Sequence, residues 1–412
     1  MVKNIGFVST RFSGVDGVSL ESSKWAEVFE EQGHHCFWFA GKLDRDPEES
    51  YLVPEAHFQD KQNQWINERV LGKPERETAV TEVIYESKSS IKNNLKKFTH
   101  NFNIDLLIAE NILSLPLNIP LGLALSELIT EKRIPTIAHH HDFYWERKNY
   151  IVNAVGDYLK TLPPNFSELI KHVTINSLAQ DQLELRGIES IVIPNVMDFE
   201  NPPIIDDERT YLFRESIGLE PDDMMILQPT RIIQRKGIEK AIELVKKSKD
   251  PRYKLVVSHE AGDEGFDYVK GLGDYARDQE VALKIVDTKI VDPWNNHNRA
   301  EHSLWDIYPH ADFITFPSFK EGFGNAFLEA IYFKKPLLIN RYATFVKDIE
   351  PKGFDLVVMD GFVTPQNVKD VKEILENPKR RERMVNHNYK VAAQHYSYNV
   401  LRRDLKMYLE GS

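Results

Sequence analysis

Two hydrophobic patterns alternate along this chain: short continuous apolar runs, and longer stretches in which apolar positions recur every three or four residues. The first is the signature of a buried strand and the second of an amphipathic helix. Residues 3–9 predict a strand, 18–32 a helix stopped by Gly33, and 35–40 a second strand. The pattern resumes with a strand at 105–109, a helix at 116–132 and a strand at 135–140. Between them, residues 41–103 are more polar and predict an insertion with helices near 61–71 and 87–100.

Residues 194–207 gather Asn195, Asp198, Asn201 and the prolines Pro194, Pro202 and Pro203, which predicts a linker. Beyond it the rhythm restarts, with strands at 224–228, 253–258, 282–286, 312–316 and 336–340 and helices at 238–247 and 326–333. Strand, helix, strand repeated in this way predicts parallel sheets with buried strands, so the expected class is α/β with two Rossmann-like doubly wound domains. The expected domains are 1–198 and 199–390, followed by a last helix in 391–412. Ligands of such sheets sit beyond the carboxyl ends of the strands, and the loops there are where chemistry is to be sought.

Composition narrows the partners. Lys+Arg 52 against Asp+Glu 63 gives net −11, which argues against a non-specific nucleic-acid binder. Residues 1–200 hold 20 Lys+Arg and 29 Asp+Glu, net −9, a charge that an anionic membrane surface repels. The most apolar stretch, 104–129, is broken by Asp105, Glu110, Asn111, Pro116, Asn118, Pro120 and Glu127 and reads as core rather than as a membrane span. The single cysteine, Cys36, allows no intrachain disulfide and no thiolate cluster. The apolar run at 5–8 is too short for a signal-peptide core, so a cytoplasmic protein is expected.

Three loops carry candidate chemistry. After the first strand, Gly14 and Gly17 precede a helix, where a backbone can approach a phosphate; a tight turn explains them equally well, and neither a G-x-G-x-x-G nor a Walker motif occurs. After the strand at 224–228, Arg231 and Lys236 stand before a helix start, positions suited to an anionic diphosphate. The segment FPSFKEGFGNAFLEAI places Glu321 after a strand, Gly322 and Gly324 in the turn, and Glu329 within the next helix, a set that can bind sugar hydroxyls and phosphate together. The strand ending in AHHHDF puts His139 and His141 on one face and His140 on the other. Two ligands without a thiolate do not make a zinc site, so no metal is expected, and His141 with Asp142 reads as a partner for a substrate hydroxyl.

In this order, the features resemble the retaining nucleotide-sugar glycosyltransferases of family 4, whose GT-B fold is two facing Rossmann-like domains with a cleft between them. The specific part is Glu321-Gly-Phe-Gly-Asn-Ala-Phe-Leu-Glu329 with Arg231 and Lys236 upstream. The resemblance implies Glu321 for the donor sugar and Glu329 for the ribose. Backbone amides near Phe323, Gly324, Asn325 and Ala326 would surround sugar and phosphates, Arg231 and Lys236 would neutralise the diphosphate, and Gly17 would add an amide. His141 would lie beside sugar and acceptor, and the last helix would cross back to the first domain. Two places depart from the family: Gly14-Val-Asp-Gly17 stands for the usual Gly-Gly pair, and SHEAGDEG, read as a solvated loop with His259, Glu260 and Asp263, stands for a Gly-x-Gly turn.

The resemblance implies a retaining hexosyltransferase using a nucleoside diphosphate sugar of the GDP-mannose or UDP-glucose type, without a divalent metal and without a tightly bound cofactor. Acceptor candidates are Asn111, Asp142, Tyr144, Trp145 and Arg147; the aromatics would offer stacking faces and Arg147 a fork for a carboxylate. With the acidic first domain, they favour a small soluble acceptor such as those of glycosylglycerate synthases. A cell-envelope transferase, a nucleotide-sugar epimerase or phosphorylase of the same architecture, and a non-catalytic nucleotide-sugar-binding protein stay open, as does the oligomeric state.

Overall fold

A computed structural model describes residues 2–14, 16–165, 168–202, 213–258, 266–286 and 304–410. The chain divides into two compact units, Met1–Pro194 with Leu401–Ser412, and Asn195–Val400. Each is built on one parallel sheet.

The first sheet contains β1 (Asn4–Val8), β2 (His35–Ala40), β3 (Ser50–Leu52), β4 (Leu106–Glu110), β5 (Thr136–His140), β6 (Ile170–Thr174) and β7 (Ser190–Val192), in the order β3-β2-β1-β4-β5-β6-β7. All its pairings are parallel. Every residue of β4 and β5 is buried, as expected of strands covered on both faces. The strand order changes direction between β1 and β4, so the loops after these two strands flank the switch point. The insertion supplies the helices Lys61–Val70 and Thr78–Asn101; Ile91, Leu95 and Phe98 of the second share a core with Leu121, Leu125 and Leu128 of the helix Ile119–Lys132.

The second sheet contains β8 (Met224–Gln228), β9 (Tyr253–Val257), β10 (Leu283–Ile285), β11 (Phe313–Phe316), β12 (Leu337–Asn340) and β13 (Val357–Met359), in the order β10-β9-β8-β11-β12-β13. It too is wholly parallel, and its switch point lies between β8 and β11. The helix Ile238–Ser248 shows why periodicity finds such elements: Ile238, Ala241, Ile242 and Val245 fall on one face and are buried in the core.

The anticipated strands are present to within a residue or two, while β3, β6, β7 and β13 were not anticipated. Three of these have only three residues each, and β6 is interrupted by Lys171 and His172, so none shows a continuous apolar run. The helix expected at 87–100 begins earlier, at Thr78. The second unit runs to Val400 and retains the helix Pro378–His395, so the chain returns to the first unit at Leu401 rather than at 391. There Arg402 Nε donates to Glu31 Oε2 at 2.7 Å, tying the last helix to Gly17–Glu31. Among the described residues, no helix is long and apolar enough to cross a membrane. His259, Glu260 and Asp263 lie outside the described residues.

Candidate active site

In the second unit, the loops after β8 and β11 meet. The short turn Gln234–Lys236 ends at Gly237, whose φ of +63° and close approach to β11's loop admit only glycine: a Cβ there would lie 2.6 Å from the Pro317 carbonyl oxygen. The loops are also joined by the Phe319 amide, which donates to the Arg235 carbonyl at 2.9 Å. This brings Lys236 Nζ to 2.5 Å from Glu321 Oε1 and Arg235 Nη1 to 3.1 Å from Glu321 Oε2. Burial alone would raise the Glu321 carboxyl, but Lys236 and Arg235 hold it below the usual carboxylate range. Burial lowers the Lys236 ammonium, opposed by Glu321 and reinforced by Arg235 and Arg231. Arg231 itself is exposed, and its charge reaches Lys236. Two cations thus hold one carboxylate, with the charge of Arg231 reaching one of them.

Gly324, at φ +117°, turns the chain into the helix Asn325–Tyr332; a Cβ there would lie 2.5 Å from Tyr342 Oη, which donates to the Phe323 carbonyl at 2.7 Å. No side chain caps this helix at Gly324, and the first amides of a helix have no acceptor within it. These are the amides of Asn325 and Ala326, while the Asn325 side chain accepts from Asn195 Nδ2 at 2.6 Å and the Phe323 ring packs edge-on against Tyr396. Glu329, in the same helix, accepts from the buried Tyr308 hydroxyl at 2.7 Å. The arrangement is a carboxylate and an open helix N-terminus within a cationic surround, which suits a ligand carrying both hydroxyls and negative charge.

The first unit holds a different cluster at its switch point. Glu110, the last residue of β4, is fully buried; its Oε1 lies 3.1 Å from His139 Nδ1 and its Oε2 3.2 Å from His141 Nε2. Burial would raise this carboxyl, yet the two imidazoles bring it down to about 2. Burial would lower His141, yet Glu110, with Glu21 and Asp142, raises it. Asn111, in the left-handed conformation at φ +60°, accepts from the His141 amide at 2.7 Å and the Asp142 amide at 3.4 Å, which fixes the turn. His140, on the opposite face, pairs with His172 at 2.9 Å.

Several expected roles change. The partner of His141 is Glu110 and not Asp142, whose carboxylate instead takes Arg147 Nη2 at 2.6 Å. Arg147 is therefore not an open fork. Trp145 offers no stacking face: Phe143 stacks on its ring at 4.5 Å, the Arg186 guanidinium sits 3.7 Å from the ring centroid, and its Nε1 donates to Gln182. Tyr144 is half-buried with its ring edge-on to Trp145. The helix N-terminus at Gly17 is capped by Asp16, which accepts from the Val18 and Ser19 amides at 3.2 Å each, so a carboxylate stands where a phosphate was expected. The positive φ in that loop belongs to Gly14.

Among the described residues, Glu110, His139 and His141 are the group with metal-ligand spacing. Both oxygens of Glu110 already serve the imidazoles, and with His139 Nδ1 on a metal its other nitrogen, Nε2, would become a buried N–H without an acceptor. Metal-bound histidines normally give that proton to a partner. The set fits a hydrogen-bonded relay better than a metal centre.

Two doubly wound parallel sheets, each with its loops at a switch point, are the architecture of the GT-B fold. Solved structures agree at the level of fold: an Anabaena protein, Alr3699/HepE, in complex with UDP and glucose superposes with TM-score 0.68 at 12% identity over 100% of both chains. Sucrose-phosphate synthase from Thermosynechococcus elongatus does so with TM-score 0.67 at 12% identity over 99% of this chain and 98% of its own. By sequence, residues 211–391 match the family described as glycosyl transferases group 1. Mannosylglucosylglycerate synthase of Petrotoga mobilis is 34% identical over 86% of each chain, and its namesake from Thermotoga maritima is 33% identical over 96% of this chain and 97% of its own. The chain belongs to the glycosyl transferases group 1 family.

Proposed function

We propose that this enzyme transfers a hexose from a nucleoside diphosphate sugar to a hydroxyl of a small soluble sugar acid of the glucosylglycerate type, with retention at the anomeric carbon. The observation that carries the reading is Glu321 held by Lys236 and Arg235 in front of the open N-terminus of the helix Asn325–Tyr332. The donor's sugar hydroxyls replace the cations on Glu321, and the released cations with Arg231 face the diphosphate. As the glycosidic bond breaks, charge grows on the leaving diphosphate, and preplaced cations and amides stabilise it without reorganising. With Lys236 and Arg235 on Glu321 and the charge of Arg231 reaching Lys236, the diphosphate is neutralised without a divalent metal in this reading. Glu329, oriented by Tyr308, takes the ribose hydroxyls.

In the first unit, His141 donates to a hydroxyl of the sugar or acceptor. The acceptor attacks from the leaving-group face, and a phosphate oxygen takes its proton, so no protein nucleophile is needed. Arg147, held by Asp142, is the candidate for the acceptor's carboxylate as a charge rather than as an open fork. The relatives' names support a mannosyl donor and a glucosylglycerate acceptor.

The test incubates the protein with GDP-mannose, UDP-glucose, UDP-N-acetylglucosamine or ADP-glucose, with and without glucosylglycerate, and measures nucleoside diphosphate release in chelator and in magnesium. Release from one donor that depends on the acceptor and persists in chelator is expected. Release from no donor under either condition, or release indifferent to glucosylglycerate, contradicts the reading; dependence on magnesium contradicts the metal-free part alone.

A further inference from the structure

The first unit's cluster contains a carboxylate that the donor chemistry does not use. Glu110 is fully buried and sits behind His141, 31 residues away in sequence, where it cannot meet a substrate itself. We propose that Glu110 is a positioning residue for the transfer: it keeps His141 doubly protonated, with Nε2–H spent on the carboxylate and Nδ1–H left to donate to a sugar or acceptor hydroxyl. This rests on the transferase reading above.

Geometry assigns the proton to His141 rather than to His139. Both imidazoles reach Glu110, one on each oxygen. His139 is stacked on Trp25 at 4.3 Å, and its Nε2 is buried with no hydrogen-bond partner among the described residues. A second proton there would create an unsatisfied buried donor, at the cost of its lost hydration. His141 is the member of the trio with the most accessible side chain, 8% against 1% for His139 and 0% for Glu110. The Asn111 side chain, by accepting from the His141 and Asp142 amides, fixes the backbone that aims the ring. The remaining charged neighbours are Glu21 of the helix Gly17–Glu31, which pairs with Lys24, and Asp142, which pairs with Arg147; His139 and His140 are the other titratable groups. Three carboxylates, Glu110, Glu21 and Asp142, therefore act on His141, each raising its affinity for a proton. A histidine so held is a fixed donor and not a general base, which leaves the acceptor's proton to the departing phosphate.

The test follows the histidine ring signals of the full chain by NMR across pH, alongside the pH dependence of kcat and kcat/KM, in the unmodified protein, Glu110→Gln, Glu110→Asp and His141→Ala. The expected result is that His141 titrates above the ordinary histidine value of about 6.5, and that kcat falls on the basic side at that same pH. Glu110→Gln moves both to lower pH by about one unit and lowers kcat at pH 7.5 by about fivefold to tenfold, with donor KM changed less than about twofold; Glu110→Asp recovers part of the rate. A folded Glu110→Gln whose His141 titration and kcat profile are unchanged overturns the proposal. If that variant does not fold, His141 titrating below about 6.5 in the unmodified protein overturns it, and titration above that value together with the matching basic limb supports it. Turnover with neither titration nor profile displaced would leave the transferase reading and remove the role of Glu110. Displaced titration without turnover of any donor would leave the Glu110–His141 pair and remove its role in transfer.

Discussion

Both sheets bring one buried carboxylate to their switch point, and the two are neutralised in different ways. Glu321 is held by an ammonium and a guanidinium, Lys236 and Arg235. Glu110 is held by two imidazoles, whose charge depends on pH. A buried carboxylate is costly unless paired, so both sites satisfy the same requirement. What differs is the excess. Around Glu321 two cations hold one carboxylate and the charge of Arg231 reaches Lys236, leaving positive charge for a diphosphate, whereas around Glu110 the partners are two imidazoles that supply hydrogen bonds. The second unit is thereby suited to binding an anion and the first to orienting a hydroxyl.

The largest expected effect on this contrast comes from removing the ammonium that holds Glu321. Lys236→Ala should lower kcat/KM for the donor by about 10²–10³, as loss of one preorganised group opposite developing charge does elsewhere; a loss under about threefold, with the variant folded, would place the diphosphate away from Lys236. Next is the titratable side. His172 is buried, and burial pushes it down to about 4, with His140 lowered as well. The unfolded chain takes up these protons first, so stability is full above about pH 6.5 and declines as pH falls toward 4, by about 3 kcal/mol for His172. Urea unfolding at pH 7.5 and 4.5 measures this, and His172→Gln should flatten the difference; an equal difference in the variant would assign the acid sensitivity elsewhere.

A smaller effect separates the donor loop's backbone from its charges. Gly324→Ala should cost about 1–3 kcal/mol through its positive φ and the contact with Tyr342 Oη. Pairing it with Tyr342→Phe should recover part of the loss in melting temperature, and no recovery would mean that φ alone is responsible. The smallest effect is Arg235→Ala. Its guanidinium is 41% exposed, so its pair with Glu321 contributes under about 1 kcal/mol, or up to about fivefold in donor KM. A loss as large as that of Lys236→Ala would make the two cations equal partners.

The same contrast explains what could be read along the chain. The donor loop was legible because its parts are local: Glu321, Gly324 and Glu329 fall within one strand-turn-helix segment, and Lys236 precedes a glycine that opens a helix. Arg235 was passed over although it adjoins Lys236, because pattern alone does not say which of two neighbouring cations turns inward. Glu110 was missed for a stronger reason. It ends an apolar run, 31 residues before its partner, and only the β4–β5 register, Glu110 against His139, brings it beneath the histidines. The aromatic loop misled in the opposite direction: Trp145 looked available, but its two faces are taken by Phe143 and by Arg186, forty-one positions further on. Long-range pairing, rather than local propensity, decided each of these.

In the proposed transfer Glu321 serves the donor and His141, held by Glu110, serves the reacting hydroxyls. The most direct measurement compares Glu321→Ala and His141→Ala in transfer to glucosylglycerate and in thermal stabilisation by the donor sugar nucleotide. Both variants are expected to fold and to lose transfer by about a hundredfold or more, with donor stabilisation lost in Glu321→Ala and retained in His141→Ala. Full transfer by either folded variant would contradict it.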